Sequence, residues 1–107
     1  MTLAEAQRQV DNYIQGTAAG YFPEIVNLAR LMEEVGEMAR IYCRRGPLRP
    51  RPGDDISPEA LKEEMGDTLF VLLCLANQAG IDLDEALDTV LAKFQIRDKD
   101  RHHPAQG

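Results

Sequence analysis

Along four stretches of the chain, apolar residues recur at intervals of three and four, and helix-stopping residues separate the stretches. The first stripe is Leu3, Ala6, Val10 and Ile14 or Tyr13. Thr2 and Glu5 can form a capping box ahead of it, so a helix is predicted from about Leu3 to Gln15, with Gly16 as its stop. Thr17 to Phe22 then leads to Pro23, a favourable early helical position. The second predicted helix carries Ile25, Leu28, Ala29, Met32, Val35, Ala39 and Tyr42 on a broad apolar face and ends near Gly46. Ser57, Pro58, Glu59 and Ala60 supply an N-cap, a proline at the first helical position and a good helix former, which starts a third helix running to Ala79. Gly80 suits the left-handed stop that follows. Asp82 with Glu85 can cap a fourth helix through Leu83, Ala86, Leu87, Val90, Leu91 and Phe94.

Between helices two and three, Gly46 to Ile56 holds Pro47, Pro50 and Pro52, which rules out regular helix and predicts a mobile loop. The last dozen residues are polar and are expected to fray. No strand pattern competes, so the fold class is all-α. From Leu69 to Ala76 helix three is apolar on nearly every side, which requires that it be central or that another subunit cover it. A four-helix bundle completed by homo-oligomerisation is therefore expected, with residues 1–103 as one domain and 104–107 as a flexible tail.

Size and charge narrow the function classes. A monomer of 107 residues buries only about two thirds of its unfolded surface, which favours self-association. A net charge of −6 repels polyanions and argues against binding to a nucleic-acid polymer or a membrane surface. The longest apolar run, Leu69 to Ala76, is far shorter than the roughly 20 residues that span a bilayer, and Met1 to Glu5 does not resemble a signal peptide, so a cytoplasmic location is expected. Cys43 and Cys74 are isolated and are expected to serve packing.

Two clusters do not fit their helices. Glu33, Glu34, Gly36 and Glu37 lie in helix two, and Glu63, Glu64, Gly66 and Asp67 repeat the arrangement in helix three. Acids three and four apart share a helix face and repel one another. Antiparallel packing would bring Glu34, Glu37, Glu64 and Asp67 to one level, an all-oxygen set suited to Mg²⁺ or Mn²⁺. A single such cluster more often marks a solvated face; two with the same internal glycine favour the metal. Gly36 and Gly66 each cost about 1 kcal/mol of helix propensity relative to alanine, which suggests close helix approach or substrate access. A di-iron centre would want Glu-x-x-His pairs, but the histidines are His102 and His103 in the tail. Lys93, Arg97 and Arg101 follow one face of helix four and could meet phosphate, or could be a solvated helix end. Asn77 could hydrogen-bond a base or sugar, or serve the fold. Arg44, Arg45, Arg49 and Arg51 are more readily solvated loop arginines than a polyphosphate grip, and Tyr13, Tyr21 and Phe22 more readily anchors than base-stacking groups.

Taken together, the motifs resemble the MazG-like nucleotide pyrophosphohydrolases of the all-α NTP pyrophosphatase superfamily. The likeness spans Met1 to about His102 and rests on Gly20-Tyr21-Phe22, the segment Ala29 to Arg40 with Glu33-Glu34-x-x-Glu37, the segment Glu63 to Asn77 with Glu64-x-x-Asp67, and Lys93 to Arg101. It implies Mg²⁺ ligation by Glu34, Glu37, Glu64 and Asp67, with Glu33 beside a second ion or the attacking water. Phosphate contacts from Lys93 and Arg97 are implied too; Gln95 stands where many relatives carry asparagine. The activity implied is hydrolysis of a nucleoside triphosphate, ribo or deoxy, to the monophosphate and pyrophosphate by a homodimer or homotetramer, with Glu33 or Glu34 accepting the proton of the attacking water. Two alternatives stand beside it: a narrower enzyme for a pyrimidine deoxynucleotide or phosphoribosyl-ATP, and a non-enzymatic self-associating helical module.

Overall fold

The structure, a computed structural model, describes residues 1–100, with side chains through residue 98. It consists of α1 (Leu3–Gln15), α2 (Glu24–Arg45), α3 (Pro58–Ala79) and α4 (Leu83–Asp100), with no strand among the described residues. The local signals act as read. Thr2 and Glu5 form a reciprocal capping box, Ser57 Oγ accepts from Ala60 N–H, and Gly80 adopts the left-handed conformation that ends α3. The Asp82 carboxylate accepts from Asp84 and Glu85 N–H at the start of α4. Residues 96–100, expected to fray, continue α4. Arg101, His102, His103 and the proposed tail 104–107 lie outside the described residues.

α3 is central, with α1 and α2 packed against it and α4 leaning on α1. Pairs such as Asn27 with Gln78, near the start of α2 and the end of α3, and Arg45 with Ile56, at the opposite ends, make α2 and α3 antiparallel. Val10, Leu73 and Cys74 form the core cluster, with Ala6, Ile14, Tyr21, Phe70 and Leu83 packed around it. Carboxylate oxygens of Asp84 accept from Leu3 and Ala4 N–H, tying α4 to the positive N-terminus of α1.

The side of α2 that meets α3 is not its most apolar stripe. Asn27, Leu31, Glu34, Met38 and Ile41 form the inward seam, with Asn27 only 1% exposed. The more apolar stripe lies open: Ile25 is 72% exposed and Met32 66%, with Leu28, Val35 and Tyr42 also exposed. Periodicity finds apolar stripes; it does not say which partner each one meets. Met65, Leu69 and Leu72 on α3 and Leu87, Val90, Leu91 and Phe94 on α4 are open as well. The chain exposes 8079 Å², where a compact monomer of its mass would expose about 6,000 Å². Its radius of gyration of 17.5 Å likewise exceeds the roughly 13 Å of a compact domain of this length.

The proline-rich loop also departs from expectation, because arginines of α2 strap it down. Arg44 donates to Arg49 O, Arg45 donates to Ile56 O, and Arg40 and Arg44 flank Asp54. Cys74 is buried in the core as expected, but Cys43 is exposed.

Candidate metal centre

On the inward seam of α2, Glu34 faces the third helix where Glu64 and Asp67 emerge one turn apart. One oxygen from each of these three carboxylates lies within 4.8 Å of the others. Oxygen Oε2 of Glu64 is buried with no hydrogen-bond partner, the single such side-chain atom among the described residues. Leaving a buried acceptor unpaired costs about 1–3 kcal/mol, more if charged. Burial, a carboxyl-to-carboxyl contact with Glu34 and the charges of Glu34, Asp67 and Glu37 all push the Glu64 carboxyl above its ordinary range. An orphaned oxygen among convergent hard ligands fits a divalent cation such as Mg²⁺, which would pair that oxygen and relieve the repulsion.

The other predicted acids surround this trio without joining it. Glu37, one turn further along α2, lines a cavity of about 320 Å³ together with Glu63 and Glu64. Glu33 is exposed on the adjoining face of α2. Gly36 and Gly66 are both exposed, and a Cβ built at either meets nothing within 4 Å. Within the protomer they provide no close helix approach; the access reading remains.

The basic residues of α4 stand apart. The Arg97 guanidinium lies 4.6 Å from the Phe94 ring centroid and Lys93 Nζ 5.8 Å from it. Arg97 also pairs with Asp98 at 3.7 Å. Since α4 packs on α1, the protomer does not group Lys93 and Arg97 with the acids.

Asn77 is taken up by the fold. Its amide donates to Gln7 O and to the Tyr21 hydroxyl and accepts from Gln7 Nε2. It sits ten residues beyond Asp67, about 15 Å along the helix axis, at the far end of α3 from the acids. Tyr21 in turn donates to Asp11 at 2.6 Å, and burial together with that carboxylate raises its pKa to about 12. Tyr21 packs against the core as an anchor, whereas Tyr13, edge-on to Phe70, and Phe22, beneath Arg30, stay exposed. Sequence reasoning missed Arg40 and Asp54, which line the cavity beside Glu37. Arg40 lies one turn past Glu37, a spacing that could have pointed to it.

Comparison with known proteins finds relatives over nearly the whole chain. Residues 22–102 match the MazG nucleotide pyrophosphohydrolase domain. The uncharacterized Bacillus subtilis protein YpjD is 45% identical over 100 residues, covering 94% of this chain and 89% of that one. A second uncharacterized protein of that organism, YvdC, is 29% identical over 102 residues, covering 91% and 96%. Among solved structures, YpjD superposes with a TM-score of 0.74 at 40% identity, covering 88% of this chain and 95% of that one. The Bacillus-conserved MazG protein, a nucleotide pyrophosphohydrolase, gives 0.74 at 39%, covering 94% and 96%.

Proposed function

The chain belongs to the MazG nucleotide pyrophosphohydrolase family, and on that premise we propose that it is a Mg²⁺-dependent enzyme cleaving nucleoside triphosphates, ribo or deoxy, to the monophosphate and pyrophosphate. The observation that carries the reading is the buried, unpaired Glu64 oxygen facing Glu34 and Asp67. A fold that gains nothing from three converging acids keeps them for a ligand.

Glu34, Glu64 and Asp67 would hold the ion, with Glu37 adjoining. The bound ion would supply charge neutralisation of the triphosphate and acidify a water molecule. Glu33, exposed beside Glu34, would take the proton of the water that attacks the α phosphorus, with Glu34 as the other candidate base. Mn²⁺ offers a substitute with the same preference for oxygen ligands.

A second copy of the chain is the partner that best fits the open stripes on α2, α3 and α4, giving a homodimer or homotetramer. Such an assembly would also be the route by which Lys93 and Arg97, remote from the acids of their own protomer, reach substrate phosphates. No described helix is long and apolar enough to cross a membrane.

The test is pyrophosphate release across common and modified nucleotides with Mg²⁺, Mn²⁺ or chelator. Divalent-dependent release, lost in Asp67→Ala with the helical fold retained, is expected. A flat response across the panel, or wild-type turnover by that variant, would refute the assignment.

A further inference from the structure

Arg40 and Arg44 extend the acid-bearing face of α2, three and seven residues past Glu37, or about 4.5 and 10 Å along the axis. They line the same cavity as Glu37, Glu63, Glu64, Asp54 and Asp55 and are its only lining cations among the described residues. They share one carboxylate with the loop backbone: Arg40 Nη2 lies 3.0 Å from Asp54 Oδ1 and Arg44 Nε 3.5 Å from Asp54 Oδ2, which also accepts from Arg51 N–H at 2.7 Å. Two guanidinium groups around an anion match a phosphate as well as they match a carboxylate. The side chains of Arg44 and Asp54 are only 14% and 9% exposed, so that half of the grip is pre-organised, whereas Arg40, 57% exposed, reaches solvent as well as Asp54. Arg45 fastens the loop to α2 through Ile56 O independently of Asp54.

Resting on the proposed activity, we infer that Arg40 and Arg44 form the subsite for the leaving pyrophosphate end of the substrate, and that Asp54 is an internal anion which the phosphates displace. The α phosphate would then lie at the acid trio and the terminal phosphates would run toward the C-terminal end of α2. The loop thereby couples substrate entry to release of its own strap.

Calorimetric titration of Mg²⁺ with inorganic pyrophosphate into the intact protein, its Arg40→Gln and Asp54→Asn variants, tests this alongside titration with a nucleoside monophosphate. Arg40→Gln should weaken pyrophosphate at least 10-fold and Asp54→Asn should tighten it about threefold, with monophosphate affinity unchanged in both. Circular dichroism checks the fold, which the exposed Arg40 side chain makes easy to retain. Wild-type pyrophosphate affinity in Arg40→Gln, or weaker binding in Asp54→Asn as a purely structural strap requires, would overturn the subsite. A wild-type protein that hydrolyses nucleotides while Arg40→Gln binds pyrophosphate normally refutes this inference alone; one that releases pyrophosphate from no nucleotide refutes the function on which it rests.

Discussion

The two ends of α3 treat their polar groups in opposite ways. Toward its C-terminus, Asn77 and Gln78 bond to Gln7, Tyr21, Phe22 O and Asn27, so neutral amides knit α1, α2 and α3 together. Toward its N-terminus, Glu64 and Asp67 meet Glu34, like charges with one oxygen left unpaired. Both ends bury polar atoms in the same helix. One end satisfies them internally and stabilises the fold; the other leaves like charges and an unpaired oxygen that cost stability, which the proposed cation would relieve.

Substitutions should therefore separate activity from stability. The largest effect is expected at the acid end, where Glu64→Gln lowers hydrolysis by on the order of 100-fold or more while leaving the melting temperature in chelator unchanged or higher. Mg²⁺ at about 100 times its dissociation constant should stabilise the wild-type chain by about 2.7 kcal/mol, and that gain should vanish in the variant. A melting temperature in chelator that falls with Glu64→Gln would break the contrast. Next in size, Asn77→Ala should destabilise by about 2 kcal/mol in denaturant titration, since it strips partners from Gln7 and Tyr21. The variant should retain near-wild-type turnover while folded; a selective loss of turnover would restore Asn77 to the substrate site. The smallest effect is expected from Gly36→Ala, which should raise stability by up to about 1 kcal/mol because its Cβ has open space. Reduced turnover in that more stable protein would show that substrate needs the space.

Much of this was legible beforehand because its causes are local. Helix ends depend on Thr2, Ser57, Gly80 and Asp82, whose side chains or backbone conformations act within a few residues. Three of the four acids expected to converge, Glu34, Glu64 and Asp67, do so for a related reason, since two helix-spaced pairs need only antiparallel packing to meet; Glu37 stays outside the trio. Which face of α2 meets α3 was not legible, because α2 carries two faces suited to packing and α3 uses the one other than the apolar stripe from Ile25 to Tyr42. The loop escaped because proline content forbids helix but says nothing of the arginines that bind it from another element.

The sequence by itself determined four helices, their caps and two sets of acids at helical spacing, because hydrogen-bond geometry and side-chain phase act over one or two turns. Only the tertiary structure decided which acids converge, that Asn77 serves the fold, that Arg40 and Arg44 close on Asp54, and that α4 stands away from the acid seam. Those outcomes depend on how whole helices rotate and cross, which the balance of burial over all their faces sets and no single turn encodes.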